Sequence, residues 1–70
     1  MTPALNLLVN GEPRTVPAPA TLADLLRHLR LDARAVVVEL NRIIVRRPEL
    51  GRTRLSDGDQ VELVHFVGGG

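Results

Sequence analysis

Apolar and polar positions first alternate at Leu5-Asn6-Leu7-Leu8-Val9, where Leu5, Leu7 and Val9 share one face. Asn10-Gly11 follows at once and suits a two-residue type I′ turn, in which both positions need positive φ. The pattern predicts a hairpin that returns through Glu12 to Val16. Pro17 and Pro19 lack backbone donors, so Pro17-Ala18-Pro19-Ala20 is expected to be an extended connector. The spacing then changes. Leu22, Leu25, Leu26 and Leu29 fall at i, i+3, i+4 and i+7, and Thr21 with Asp24 forms a capping-box pattern ahead of them. A helix with one apolar stripe is predicted, with Arg27, His28 and Arg30 turned to water or to its C-terminus.

Ala35 to Leu40 is centred on Val36-Val37-Val38 and reads as a strand covered on much of both faces. Ile43-Ile44-Val45 follows after only Asn41-Arg42, which predicts a second tight hairpin. Between Arg46 and Asp59 regular patterning gives way to Pro, Gly and charges, so a long loop is expected, pinned by Leu50 and Leu55 and closed by a turn at Ser56-Asp57-Gly58-Asp59. The last strand, Gln60 to about Val67, places Val61 and Leu63 on one face and Glu62, Val64 and Phe66 on the other.

The order ββαβββ gives one helix that must bury a Leu stripe, and a mixed sheet is the simplest partner for it. The expected fold class is therefore α+β, a ubiquitin-like β-grasp with the first and last strands side by side at the sheet centre. Residues 1–67 would form the domain and residues 68–70 a flexible glycine tail.

Seventy residues support one small core and leave little room for an enclosed active site. Catalysis by this chain alone is not expected. Nine Arg stand against eight Asp plus Glu, giving a formal charge of +1, too balanced for a nucleic-acid footprint. There is no Cys and only two His, so neither a disulfide framework nor a metal cluster is expected. Met1-Thr2-Pro3-Ala4 lacks a basic leader region and Leu5 to Val9 is too short for a membrane span. The cytoplasm is the expected compartment, and a monomer the expected free state. Every basic group is Arg, so no side-chain amine is available to accept an acyl group.

Gly68-Gly69-Gly70 follows directly on the last strand. Glycines give the smallest cross-section and the widest φ/ψ range, which suits a segment drawn through a narrow channel. A carboxylate is a poor electrophile and must be activated as a mixed anhydride before a nucleophile can displace its oxygen. In this chain the Gly70 carboxylate is the candidate reactive group, with Gly68 and Gly69 giving it reach.

Asp57-Gly58-Asp59, the strand Val61-Glu62-Leu63-Val64-His65-Phe66-Val67 and the terminus Gly68-Gly69-Gly70 together resemble the ThiS family of sulfur carriers in thiamine thiazole biosynthesis. The likeness spans the chain and is most specific from Glu62 to Gly70. It implies that a ThiF-type, E1-like adenylyltransferase uses ATP and Mg to adenylate Gly70. Sulfur from a cysteine desulfurase persulfide then replaces the adenylate, and a ThiG-type thiazole synthase receives it from the thiocarboxylate. On this reading the chain is a protein co-substrate that binds no cofactor itself. The Pro17 to Ala20 connector and the replacement of every Lys by Arg depart from the family pattern, and both touch the scaffold rather than the tail.

Phe66, the only aromatic residue, suits either a core position or an exposed anchor that docks the carrier on its enzymes. Glu62 and Val64 share its face, and Glu62, Val64, His65 and Phe66 together form the candidate partner-binding set. His65 has a pKa range suited to proton transfer, against which stands a solvated or structural role. Arg42, Arg46, Arg47, Arg52 and Arg54 form a basic middle segment, either a solvated loop or a surface for acidic partners. Asp57-Gly58-Asp59 lacks the further spaced oxygens of a calcium loop and reads as a turn. The terminal-glycine chemistry also fits a carrier for molybdopterin or tRNA thiolation, or a ubiquitin-like modifier of lysines. A β-grasp module that binds RNA or protein and ignores the tail is the remaining class, and the weak net charge and single aromatic argue against RNA stacking; neither nucleic acid nor membrane is an expected partner.

Overall fold

In the computed structural model, residues 3–66 are described. Five strands, β1 (Ala4–Val9), β2 (Glu12–Pro17), β3 (Val36–Leu40), β4 (Ile43–Val45) and β5 (Gln60–His65), form one sheet in the order β2-β1-β5-β3-β4. β1 runs parallel to β5 and every other neighbour is antiparallel. This is the β-grasp arrangement, with the first and last strands adjacent at the centre.

The helix α1 (Leu22–His28) packs on one face of the sheet. Thr21 caps it reciprocally: Asp24 N donates to Thr21 Oγ1 at 3.2 Å, and Thr21 N donates to Asp24 Oδ2 at 2.9 Å. The Thr21 backbone bond, with the Arg27 guanidinium beside it, holds the Asp24 carboxyl below the usual aspartate range. Leu22, Leu25 and Leu26 are buried against Leu7, Val9, Val38, Val61 and Leu63, so the inner faces of β1, β3 and β5 meet the predicted Leu stripe. Leu29 is the C-cap and only partly buried, because the helix ends there and Arg30 turns the chain at φ 59°.

Pro13 and Pro17 both sit in β2. The strand tolerates them because it lies at the sheet edge, with one side free of ladder bonds. Strand β2 thus extends through Pro17, one residue past the expected return. Beyond it, Leu55 N donates to Ala20 O at 2.9 Å and Leu22 N to Thr53 O at 3.0 Å, tying the connector to the long loop.

Three expectations change. The strand β3 is covered on one face rather than on both: Val36 and Val38 are buried, whereas Val37 is 38 % exposed, because the single helix covers only the inner side. The segment after β4 is not irregular throughout; Arg47–Arg52 forms 3₁₀ turns started by Pro48, and a further turn spans Ala33–Ala35. Leu50 and Leu55 do pin this stretch, both being buried. Lastly, β5 ends at His65 rather than near Val67. Val67, Gly68, Gly69 and Gly70, and with them the expected boundary at 67/68, lie outside the described residues.

Candidate functional site

Everything that leads to Gly70 is carried by β5, the central strand. Two asparagines in hairpin turns hold it from opposite sides. On the β1 side, Leu63 N donates to Asn10 Oδ1 at 2.7 Å and Asn10 Nδ2 donates to Leu63 O at 3.2 Å. On the β3 side, Gln60 N donates to Asn41 Oδ1 at 2.9 Å and Asn41 N donates to Gln60 O at 2.8 Å. The Asn10 side chain imitates a whole peptide group, whereas Asn41 pairs with Gln60 through its own backbone N–H and its side-chain oxygen; each continues a ladder where its own strand has turned away. Sequence reasoning placed both residues in turns and missed this second role. Asparagine rather than aspartate in both turns is the available signal, since only the amide can donate and accept at once.

Below the strand, the Ser56-Asp57-Gly58-Asp59 turn is a hydrogen-bonded support. Asn6 N donates to Asp57 Oδ1 at 2.6 Å and Gly58 N donates to Asn6 O at 2.7 Å. Ser56 N donates to Asp59 Oδ2 at 2.7 Å, and Asn41 Nδ2 reaches Asp59 Oδ1 at 3.1 Å. Gly58 adopts φ 88°, which accounts for glycine there. These carboxylates are engaged by the backbone, and no group of three or more His, Cys, Asp or Glu is placed to hold a metal among the described residues.

Among the described residues, no helix lies over the outer face of the sheet. Val64 is 54 % and Phe66 51 % exposed, Val37 stands directly opposite Val64 in the ladder, and Ile44 adds a further 63 % exposed side chain. Phe66 is therefore a surface residue, not a core one. Glu62 is exposed on the same face, opposite Glu39. The face grades from two carboxylates near the Asn41 turn to an apolar patch beside the end of β5. His65 is separate. Its register opposite Val36 puts it on the inner face, at the exposed strand end, where it lines a depression of about 200 Å³ with Asn10, Leu29 and Leu31. The structure brings Glu62, Val64 and Phe66 together and leaves His65 out. Val37 and Ile44 belong to the same patch; a β-branched run did not distinguish which of its members would face water.

A β-grasp domain thus presents a bare apolar sheet face next to the strand that leads into Gly68-Gly69-Gly70. The family model of the ThiS family matches residues 7–70. A crystal structure of the thiamine biosynthesis protein ThiS from Geobacter metallireducens superposes with a TM-score of 0.80 at 40 % identity, over 94 % of this chain and 100 % of that one. The sulfur carrier protein ThiS of Bacillus subtilis is 42 % identical over 50 residues, 71 % of this chain and 76 % of that protein. A thiazole synthase of Paramagnetospirillum magneticum is 41 % identical over 66 residues, 94 % of this chain but 20 % of the synthase. The chain spans about a fifth of the length of such synthases. This chain belongs to the ThiS family. Among the described residues, no helix is long and apolar enough to cross a membrane.

Proposed function

We propose that this chain is a sulfur carrier protein of thiamine biosynthesis and that Gly70 bears the sulfur. The observation that carries the reading is the family match, which runs through the three glycines to Gly70. In the first step a Gly70 carboxylate oxygen attacks the α-phosphorus of ATP on a ThiF-type adenylyltransferase, and pyrophosphate leaves. Mg and ATP belong to that enzyme. The terminal sulfur of a cysteine-derived persulfide then adds to the acyl carbon and AMP leaves, giving an acyl disulfide; a thiol attacks the cysteine sulfur of that bond, forming a disulfide with it and releasing the thiocarboxylate, so that sulfur replaces one carboxylate oxygen. The thiocarboxylate delivers its sulfur to a ThiG-type thiazole synthase. That partner is supported by the thiazole synthases whose sequences include a stretch 41 % identical to this chain.

The chain's own contribution is presentation. Val64 and Phe66, with Val37 and Ile44 beside them, form the apolar patch that docks the domain, and Glu62 borders it. Removing this patch from water supplies binding free energy close to the tail, where an enzyme must hold the domain while the glycines are threaded. His65 takes no part in this contact. The absence of Lys and Cys from the sequence leaves no side-chain amine or thiol to intercept the activated acyl group.

The test is intact mass after incubation with adenylyltransferase, ATP, Mg and a sulfur donor. The expected product carries one oxygen-for-sulfur exchange, located at Gly70 and abolished by deleting that residue. An unchanged mass under conditions that load another carrier would sink the reading. Transfer from the loaded chain to thiazole synthase, and not to molybdopterin or tRNA-thiolating enzymes, assigns the pathway.

A further inference from the structure

The outer face of the sheet carries its charges in an order. Glu62 stands directly opposite Glu39, and the next outward rung pairs Val64 with Val37. Neither carboxylate forms an ion pair among the described residues. Like charges facing each other across two strands repel, so this pair does not serve the stability of the free sheet. Asp59, which accepts from Asn41 Nδ2 at 3.1 Å, adds a third carboxylate at that end, against the single arginine of the turn, Arg42.

The opposite end is basic, and it is the end from which β5 leads toward the glycines. β4 ends on the side where β3 begins and β5 finishes, because β3 is antiparallel to both. Arg46 follows β4 with φ −74° and ψ 153°, still extended, and so keeps the outward parity of Ile44 two residues earlier. With Arg34, Arg47, Ile44 and Phe66 it lines a groove of about 420 Å³. Asp32 meets the Arg34 charge at 3.0 Å, whereas Arg46 and Arg47 form no ion pair among the described residues. Exposed Val37, Ile44, Val64 and Phe66 occupy the ground between the two ends.

Burying such an apolar patch is favourable but non-directional. Turned half round about the sheet normal, the patch would cover a similar area and point the C-terminal glycines away from the reaction centre. Opposite charges at its two ends break that symmetry, since the wrong orientation sets like charges against each other.

We propose that this order of charges sets the direction in which the carrier docks on its adenylyltransferase. The enzyme presents a basic side chain to Glu39 and Glu62, an apolar hollow to Val64 and Phe66, and a carboxylate to Arg46 and Arg47. This rests on the sulfur-carrier reading, which names the partner. Glu39, Arg46 and Arg47 thereby join Glu62 as positioning residues.

The test is the steady-state rate of pyrophosphate release by the adenylyltransferase, with ATP and Mg saturating and the full chain varied. For the native chain KM should rise with salt. E39K/E62K and R46E/R47E should each raise KM about tenfold, equivalent to roughly 1.4 kcal/mol, and leave kcat nearly unchanged. The fourfold variant E39K/E62K/R46E/R47E keeps the net charge but inverts its order. It should lose about a hundredfold in kcat/KM, part of it in kcat, because a carrier docked back to front occupies the enzyme without presenting Gly70. Each change swaps one pair of like charges for another, so melting temperatures should stay within about 3 °C of native and report an intact fold.

A fourfold variant as good a substrate as the native chain would overturn the proposal by showing that only net charge counts. Native KM in both double variants would overturn it too, leaving the apolar patch to dock the domain unaided and the sulfur-carrier reading intact. A native chain that releases no pyrophosphate, with an enzyme that accepts another carrier, would remove both.

Discussion

The two hairpins solve one problem with different residues. Both turn through two residues of positive φ, Asn10-Gly11 at 52° and 79°, and Asn41-Arg42 at 50° and 71°. In both, the asparagine also hydrogen-bonds β5. The first uses glycine where the backbone is left-handed, and the second places an arginine there, a conformation that costs an L-residue about 1 kcal/mol. Their surroundings differ as well. Asn10 serves Leu63, which is buried, whereas Asn41 serves Gln60 at the exposed start of the strand. The first hairpin is therefore the tighter hold on the central strand, and the second is the looser one.

Several substitutions would break or sharpen that contrast. Asn10→Ala should have the largest effect, about 2 kcal/mol in urea unfolding, because it strands the Leu63 amide in a partly buried place. Asn41→Ala should cost about 1 kcal/mol, since water can replace its bonds to Gln60 and Asp59. Equal losses at the two positions would mean that burial does not separate the hairpins. Gly11→Ala should also cost about 1 kcal/mol and no more, because a Cβ there meets nothing within 4 Å and only φ opposes it. The smallest change should be a gain: Arg42→Gly relieves the left-handed strain but loosens the unfolded chain, leaving about 0.5 kcal/mol, visible as a slightly raised Tm. A loss of stability at Arg42→Gly would point to a packing role for that side chain.

Much of this architecture was legible because it rests on local rules. The Thr21 and Asp24 cap, the Leu22-Leu25-Leu26 stripe and the Asn10-Gly11 turn each announce themselves within a few residues. The same holds for the alternation that puts Val61 and Leu63 inward and Glu62, Val64 and Phe66 outward. What could not be read was how many layers cover the sheet. Val36-Val37-Val38 looks the same whether a second layer lies over Val37 or water does, and one seven-residue helix suffices for only one face. The Phe66 alternatives were undecided for the same reason. His65 was grouped with its neighbours along the chain, although strand parity turns it to the opposite face.

The sequence by itself determined the element order, the inward-facing residues and the glycine ending, since each follows from periodicity, turn chemistry or residue type over short distances. Only the tertiary structure decided which apolar residues stay in water, how two turn asparagines clasp β5, and where the β3–β4 ladder stops. These depend on strands distant in the chain becoming neighbours, and on the position where β4 leaves β3. Neither is encoded in any single segment.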